Sequence, residues 1–128
     1  NKIDLDRSKG FDFTIFTSSP TNLQNKNPKS YGWVQSKSSE KNIFCKENIT
    51  LTDNSNIILG YFYFDSVSLF NEGYEFIKEK KLYVNGELYI DVITRELLIQ
   101  NYKVFEHKVK SNIVGTPKEY ELYLENER

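Results

Sequence analysis

Apolar and polar positions alternate along FDFTIFTS (11–18), the period-two pattern of a strand rich in β-formers. The next stretch, SSPTNLQNKNPKS (18–30), is polar with two prolines and reads as a long flexible loop. YGWVQS (31–36) predicts a strand, SKSSEKN (36–42) a turn and IFCKE (43–47) a further short strand. NIILGYFYFD (56–65) is almost continuously apolar and aromatic, the mark of a strand covered on both faces. VSLFNEGYEFIKEKK (67–81) predicts a helix, or a helix pair interrupted at Gly73.

GELYIDVITRELLIQ (86–100) has good helix formers and a carboxylate in its first turn. Its apolar residues fall on two sides, Leu88, Val92 and Ile99 on one and Ile90, Ile93 and Leu97 on the other, so the helix is expected to be wedged inside the fold. Glu87, Asp91 and Thr94 follow at i, i+4 and i+7 along one edge. That edge is either a solvent-facing stripe or a row whose Glu87 points into a cleft and accepts hydrogen bonds from sugar hydroxyls. YKVFEHKVK (102–110) reads as a strand. Gly115 then frees the backbone to turn, Thr116 and Glu119 complete a capping box, and Pro117 suits the first position of a closing helix at 117–126. Strands and helices alternate in the second half, which favours α/β layering with a mixed sheet and flanking helices. No repeat or linker divides residues 1–128, so one domain is expected.

Composition removes several function classes. A net charge of −1 offers no electrostatic attraction to nucleic acid or to an anionic membrane, and the KEKK cluster (78–81) reads as a solvated helix end. No apolar run reaches membrane-spanning length. Nine Phe, nine Tyr and one Trp mark a chain that packs. A single cysteine, Cys45, excludes an internal disulfide and points to a reducing compartment, hence the cytoplasm; the thiol is expected in buried packing rather than as a nucleophile. The lone His107 cannot build a histidine metal site or triad. Glu87 and Asp91, one helical turn apart, cannot flank a glycosidic bond from opposite sides. Tyr61 and Tyr63 face away from Phe62 and Phe64, which suits a doubly covered core better than a sugar-stacking platform.

Taken in order, SYGWV, the Lys46-Glu47 pair, NIILGYFYFD, VNGELYIDVI and VGTPKEYELYL resemble the later half of the sugar-1-phosphate nucleotidyltransferases, the nucleoside-diphosphate-sugar pyrophosphorylases, over residues 11–125. The resemblance implies the C-terminal part of a Rossmann-like nucleotidyltransferase fold. It implies an enzyme that joins a nucleoside triphosphate to a sugar 1-phosphate and releases pyrophosphate, with Mg²⁺ in the parent enzyme. It also implies a role in bacterial capsule or lipopolysaccharide synthesis. By the same resemblance, Tyr31-Gly32 lends its backbone to the border of the sugar, and Lys46 contacts phosphate or sugar. Gly60 lets the backbone approach the sugar ring, and Glu87 binds sugar hydroxyls. An ammonium offers three donors and a point charge to a phosphate, which is the physical basis of the Lys46 assignment.

The departures shape the expectation. Cys45 stands where the family places an acid before the lysine, Asp91 follows Glu87 by four positions rather than five, and Ile113 occupies a family metal-binding aspartate position. An alkyl side chain cannot ligate Mg²⁺. The six glycines, at 10, 32, 60, 73, 86 and 115, never cluster into the phosphate-cradling Gly-x-Gly-x-Arg loop of the family. With a first residue, Asn1, that is not methionine, the expectation is a fragment carrying the sugar-phosphate half without the nucleotide half. Such a fragment has no catalytic residue and binds no metal of its own, is inactive alone, and self-associates through an uncovered sheet edge. The alternative is a non-catalytic domain for sugar-phosphate binding or subunit association.

Overall fold

The computed structural model describes residues 9–110 and 125. Ile113, the turn at Gly115 to Pro117 and the expected closing helix, save Glu125, lie outside the described residues. Five strands form one sheet: β1 (Phe13–Ser18), β2 (Gly32–Lys37), β3 (Glu40–Cys45), β4 (Ser55–Phe64) and β5 (Val104–Lys108), in the order β3-β2-β4-β1-β5. Only β1 and β5 run parallel; the other neighbours are antiparallel, giving the mixed sheet expected. Among the described residues α-helices α1 (Asn22–Lys26), α2 (Val67–Lys80) and α3 (Ile90–Ile99) accompany it.

Alternation decides which side chains meet. Phe13 and Ile15 of β1, Val34 of β2, Ile43 and Cys45 of β3 and Ile58 of β4 share a buried core with Leu69 and Ile77 of α2 and Val92, Ile93 and Leu97 of α3. On the opposite face Trp33 lies across from Ile57, both fully buried. The 18–30 segment, expected to be flexible, is instead ordered beside Trp33. Thr21 and Gln24 form a reciprocal capping box for α1 (Gln24 N–H to Thr21 Oγ1, 3.2 Å; Thr21 N–H to Gln24 Oε1, 2.8 Å). A 3₁₀ turn at Pro28–Ser30 follows, and the Pro28 carbonyl accepts the Trp33 indole N–H at 2.9 Å.

Three other expectations change. The hairpin turn shrinks to Ser38 and Ser39, because Glu40 pairs with Lys37 and Lys41 with Ser36, so β3 starts three residues earlier than its apolar run. β4 is covered on both faces only around Ile57 and Ile58; Tyr61 is 68% exposed and Tyr63 39%, whereas Phe62 and Phe64 pack on the core. Between these parts lies a bulge: β1 pairs Ile15 with Phe62 and then Thr17 with Ile58, leaving Leu59, Gly60 and Tyr61 opposite Phe16 alone. Gly60 takes the left-handed φ of 84° that this distortion requires. Finally, residues 86–100 are not one helix. Asn85 (φ 52°) and Gly86 (φ 78°) make a tight turn bridged between Val84 and Glu87, and α3 starts only at Ile90.

Gly73 does not interrupt α2, which runs unbroken from a Ser66 cap. A side chain there would meet α3: a Cβ on Gly73 would fall 2.6 Å from Ile93 Cγ2 and 3.3 Å from Leu97 Cγ. Close packing of the two helices is therefore what the glycine provides.

The two edge strands also meet. In a flat sheet four strand spacings separate β3 from β5 by about 19 Å, at ~4.8 Å per strand. Lys41 Nζ of β3 nevertheless lies 2.9 Å from Glu106 Oε1 of β5. Thr17 Oγ1 (2.7 Å) and Asn56 Nδ2 (2.8 Å) donate to the other Glu106 oxygen. The sheet is thus curled toward its helix-bearing face around a carboxylate only 7% exposed. Burial alone would raise the Glu106 pKa, but the hydrogen bonds from Thr17, Lys41 and Asn56 outweigh it and hold the group below its ordinary value.

Two outcomes are expected. Alanine in place of glycine usually stabilises an open helix by about 1 kcal/mol; Gly73→Ala should instead destabilise by about 1–3 kcal/mol through overpacking, measured by urea unfolding. An unchanged or higher midpoint would refute the close α2–α3 contact. Because folding depresses the Glu106 pKa, its contribution is full above the ordinary glutamate value of 4.5 and is lost as pH falls through the folded value. Glu106→Gln should therefore cost about 1–3 kcal/mol near neutral pH, and its deficit against wild type should shrink on acidification below pH 4.5. A deficit independent of pH would count against a charged Glu106.

Candidate functional site

The start of β2, the end of β3 and the first turn of α3 meet at one corner of the sheet. Gly32 pairs with Cys45 across β2 and β3, and the Lys46 N–H just beyond β3 donates to the Tyr31 carbonyl at 3.0 Å. That bond holds Lys46 in a left-handed conformation, φ 50°, uncommon for a residue with a side chain. The turn sends its ammonium back to the Ser30 carbonyl, 2.9 Å away, and over the Tyr89 ring, 5.2 Å from the centroid. The Glu87 carboxylate, two residues earlier in the chain, raises the Tyr89 phenol pKa.

Asp91 occupies the floor. Its Oδ2 lies where a Gly32 side chain would be, so the glycine is required for the acid to seat there. Burial raises the Asp91 pKa, partly offset by its own backbone amide, the Lys46 charge and a hydrogen bond from Cys45. Burial first, and then the Asp91 charge, push the Cys45 thiol up to about 12. A thiol so rarely ionised is no nucleophile at neutral pH, in keeping with a packing role.

The structure thus gathers Tyr31, Gly32 and Lys46 directly and adds Tyr89 beside Lys46, with Glu87 two residues before Tyr89 in the chain. Gly60 sits in the β4 bulge, outside these contacts. The Glu87–Asp91–Thr94 stripe does not exist as such. Glu87 belongs to the Asn85-Gly86 turn, Asp91 is largely covered, and Thr94 is fully buried with its hydroxyl donating to the Asp91 carbonyl at 2.7 Å. Both alternatives for that edge therefore lose their shared premise, a helix that includes Glu87. Tyr89 is the residue that sequence reasoning passed over. Its signal was weak: one aromatic at the mouth of an apolar helix, two residues after Glu87.

A groove of about 360 Å³ lies beside the site between β3 and α3, lined by Lys41, Phe44, Glu47, Arg95, Leu98 and Ile99 among others. Its cations are already engaged, Arg95 with Glu47 (3.3 Å) and Glu96 (3.7 Å) and Lys41 with Glu106. Among the described residues no three histidine, cysteine or acidic side chains converge as a metal site, and no helix is long and apolar enough to cross a membrane.

No family profile and no curated protein matches the chain. Among solved structures it is similar to the nucleoside-diphosphate-sugar pyrophosphorylase from Vibrio cholerae RC9, with a TM-score of 0.73 and 17% identity. The match covers 98% of this chain and 51% of that one, so the chain spans about half the length of its structural neighbour. The protein has an α/β fold of the nucleotidyltransferase-like kind, a curled five-stranded mixed sheet with helices.

Proposed function

We propose that the chain forms the sugar-phosphate end of a cytoplasmic sugar-1-phosphate nucleotidyltransferase, which joins a nucleoside triphosphate to a sugar 1-phosphate and releases pyrophosphate in bacterial capsule or lipopolysaccharide synthesis. The observation that carries this reading is the Lys46 ammonium held over the Tyr89 ring beside the Tyr31-Gly32 backbone, with Glu87 two residues before Tyr89 in the chain. An ammonium and a carboxylate on neighbouring segments of this corner suit the two ends of a sugar phosphate. The ammonium supplies charge and donors to the phosphate, and the carboxylate accepts from hydroxyls. The shared fold with a nucleoside-diphosphate-sugar pyrophosphorylase supports the same reading.

In this reading the chain binds and orients. Lys46 holds the phosphate, Glu87 fixes the ring by its hydroxyls, and Asp91 supports the β2 backbone from beneath. The residues present at this corner do not suit Mg²⁺, which takes hard oxygen ligands in octahedral geometry. Asp91 is largely covered, and among the described residues no three histidine, cysteine or acidic side chains converge there. No step is assigned to a metal here.

A calorimetric titration with glucose 1-phosphate, as a representative sugar 1-phosphate, tests the assignment. Charge-assisted hydrogen bonds contribute about 1.5–3 kcal/mol each, so Lys46→Ala and Glu87→Ala should each weaken binding about tenfold or more. Equal affinity in wild type and both variants would place the site elsewhere. With glycines too dispersed for a phosphate cradle, the 128-residue chain alone should release no pyrophosphate from a nucleoside triphosphate and a sugar phosphate. Turnover that survives repurification would overturn the division of labour proposed here.

A further inference from the structure

Tyr89 faces the Lys46 ammonium at the corner. It is the residue before α3, in extended backbone (φ −109°, ψ 143°), and it makes no side-chain cap bond to the helix it precedes. Its ring is partly buried against the core, which limits its freedom. One ring face carries the Lys46 ammonium at 5.2 Å. A lysine on a four-carbon stem is ordinarily mobile. Here the left-handed backbone at φ 50°, the Ser30 carbonyl and the Tyr89 ring bear on it together.

We propose that Tyr89 is the positioning residue of this site: its ring holds the Lys46 ammonium at the corner, so that one rigid side chain sets where the phosphate-binding group stands. The inference rests on the sugar-phosphate reading above and adds to it a residue that touches no reacting atom. A phenol has two rotatable side-chain bonds, so it holds the ammonium more stiffly than a long flexible side chain could in water.

The test separates the hold from the ligand. Reductive methylation with ¹³C-formaldehyde keeps each lysine charged and gives it a methyl probe; the Lys46 signal is assigned by its absence in Lys46→Arg. An upfield ring-current shift of that signal is expected in wild type, retained in Tyr89→Phe and lost in Tyr89→Leu. If Tyr89→Leu does not fold, the wild-type shift by itself decides the ring contact. Glucose 1-phosphate affinity should fall roughly two- to fivefold in Tyr89→Leu, the range of a solvent-accessible cation–π contact. In a Lys46→Ala background the same substitution should cost nothing further through the ring. A Lys46 signal without the upfield shift, or losses that add in full, would overturn the proposal. If no variant and no wild type binds glucose 1-phosphate while the shifts behave as expected, the sugar-phosphate reading falls and the hold of Tyr89 on Lys46 stands.

Discussion

A carboxylate withdrawn from water must be met by donors, and at Glu106 those donors come from three other strands. Thr17, Asn56 and Lys41 belong to β1, β4 and β3, and they reach the Glu106 oxygens at 2.7–2.9 Å. Without them the group would keep its desolvation cost, which in a protein interior amounts to several kcal/mol. The bonds can form only if the sheet bends until its two edge strands face each other. The concave surface this leaves is the one that carries α2 and α3. Curvature, and with it the placement of β3 over α3, thus answers to a polar constraint rather than to apolar burial alone.

Within that concavity α3 is located by two glycines on different sides. Gly73 lets α2 approach Ile93 and Leu97, and Gly32 lets the Asp91 carboxylate settle on β2. A helix seated at both contacts has little room to slide or roll. Its preceding residue, Tyr89, is thereby delivered beside the end of β3, where the Lys46 backbone turns left-handed and returns its ammonium toward the same corner. The recognition chemistry proposed here is an outcome of packing at some distance from the polar groups themselves. It also explains why Cys45 and Asp91 are both shifted toward their neutral forms: they lie on the inner side of the corner, whereas Lys46 and Glu87 lie on the outer side.

Much of the local structure was legible. The alternation at 11–18 and 31–36, the strand at 102–110 and the helix at 67–81 follow from side-chain period and propensity, and all are present. Two local signals were also present and outweighed. Asn85-Gly86 is a strong tight-turn pair, yet the helix formers beside it favoured a helix from residue 86. Thr21 and Gln24 spell a capping box inside a stretch whose polarity and prolines suggested a loop. In both cases a bulk property of a window masked a specific pair within it.

By itself the sequence determined which segments extend, which coil and which faces are apolar, because those depend on neighbours two to four positions away. It also placed Lys46, Glu87 and the Tyr31-Gly32 pair among the candidates through a family resemblance carried by order and spacing. Tertiary structure alone decided that Glu106 would be buried and satisfied, that Gly73 would serve a helix contact, and that Tyr89 would stand beneath the Lys46 ammonium. Each of these joins residues far apart along the chain: Glu106 meets Lys41 across 65 positions, and Lys46 meets Tyr89 across an intervening strand and helix. Such pairs leave no period in the sequence. Their partners are chosen by how strands order and curl, and that choice is made by the whole core at once.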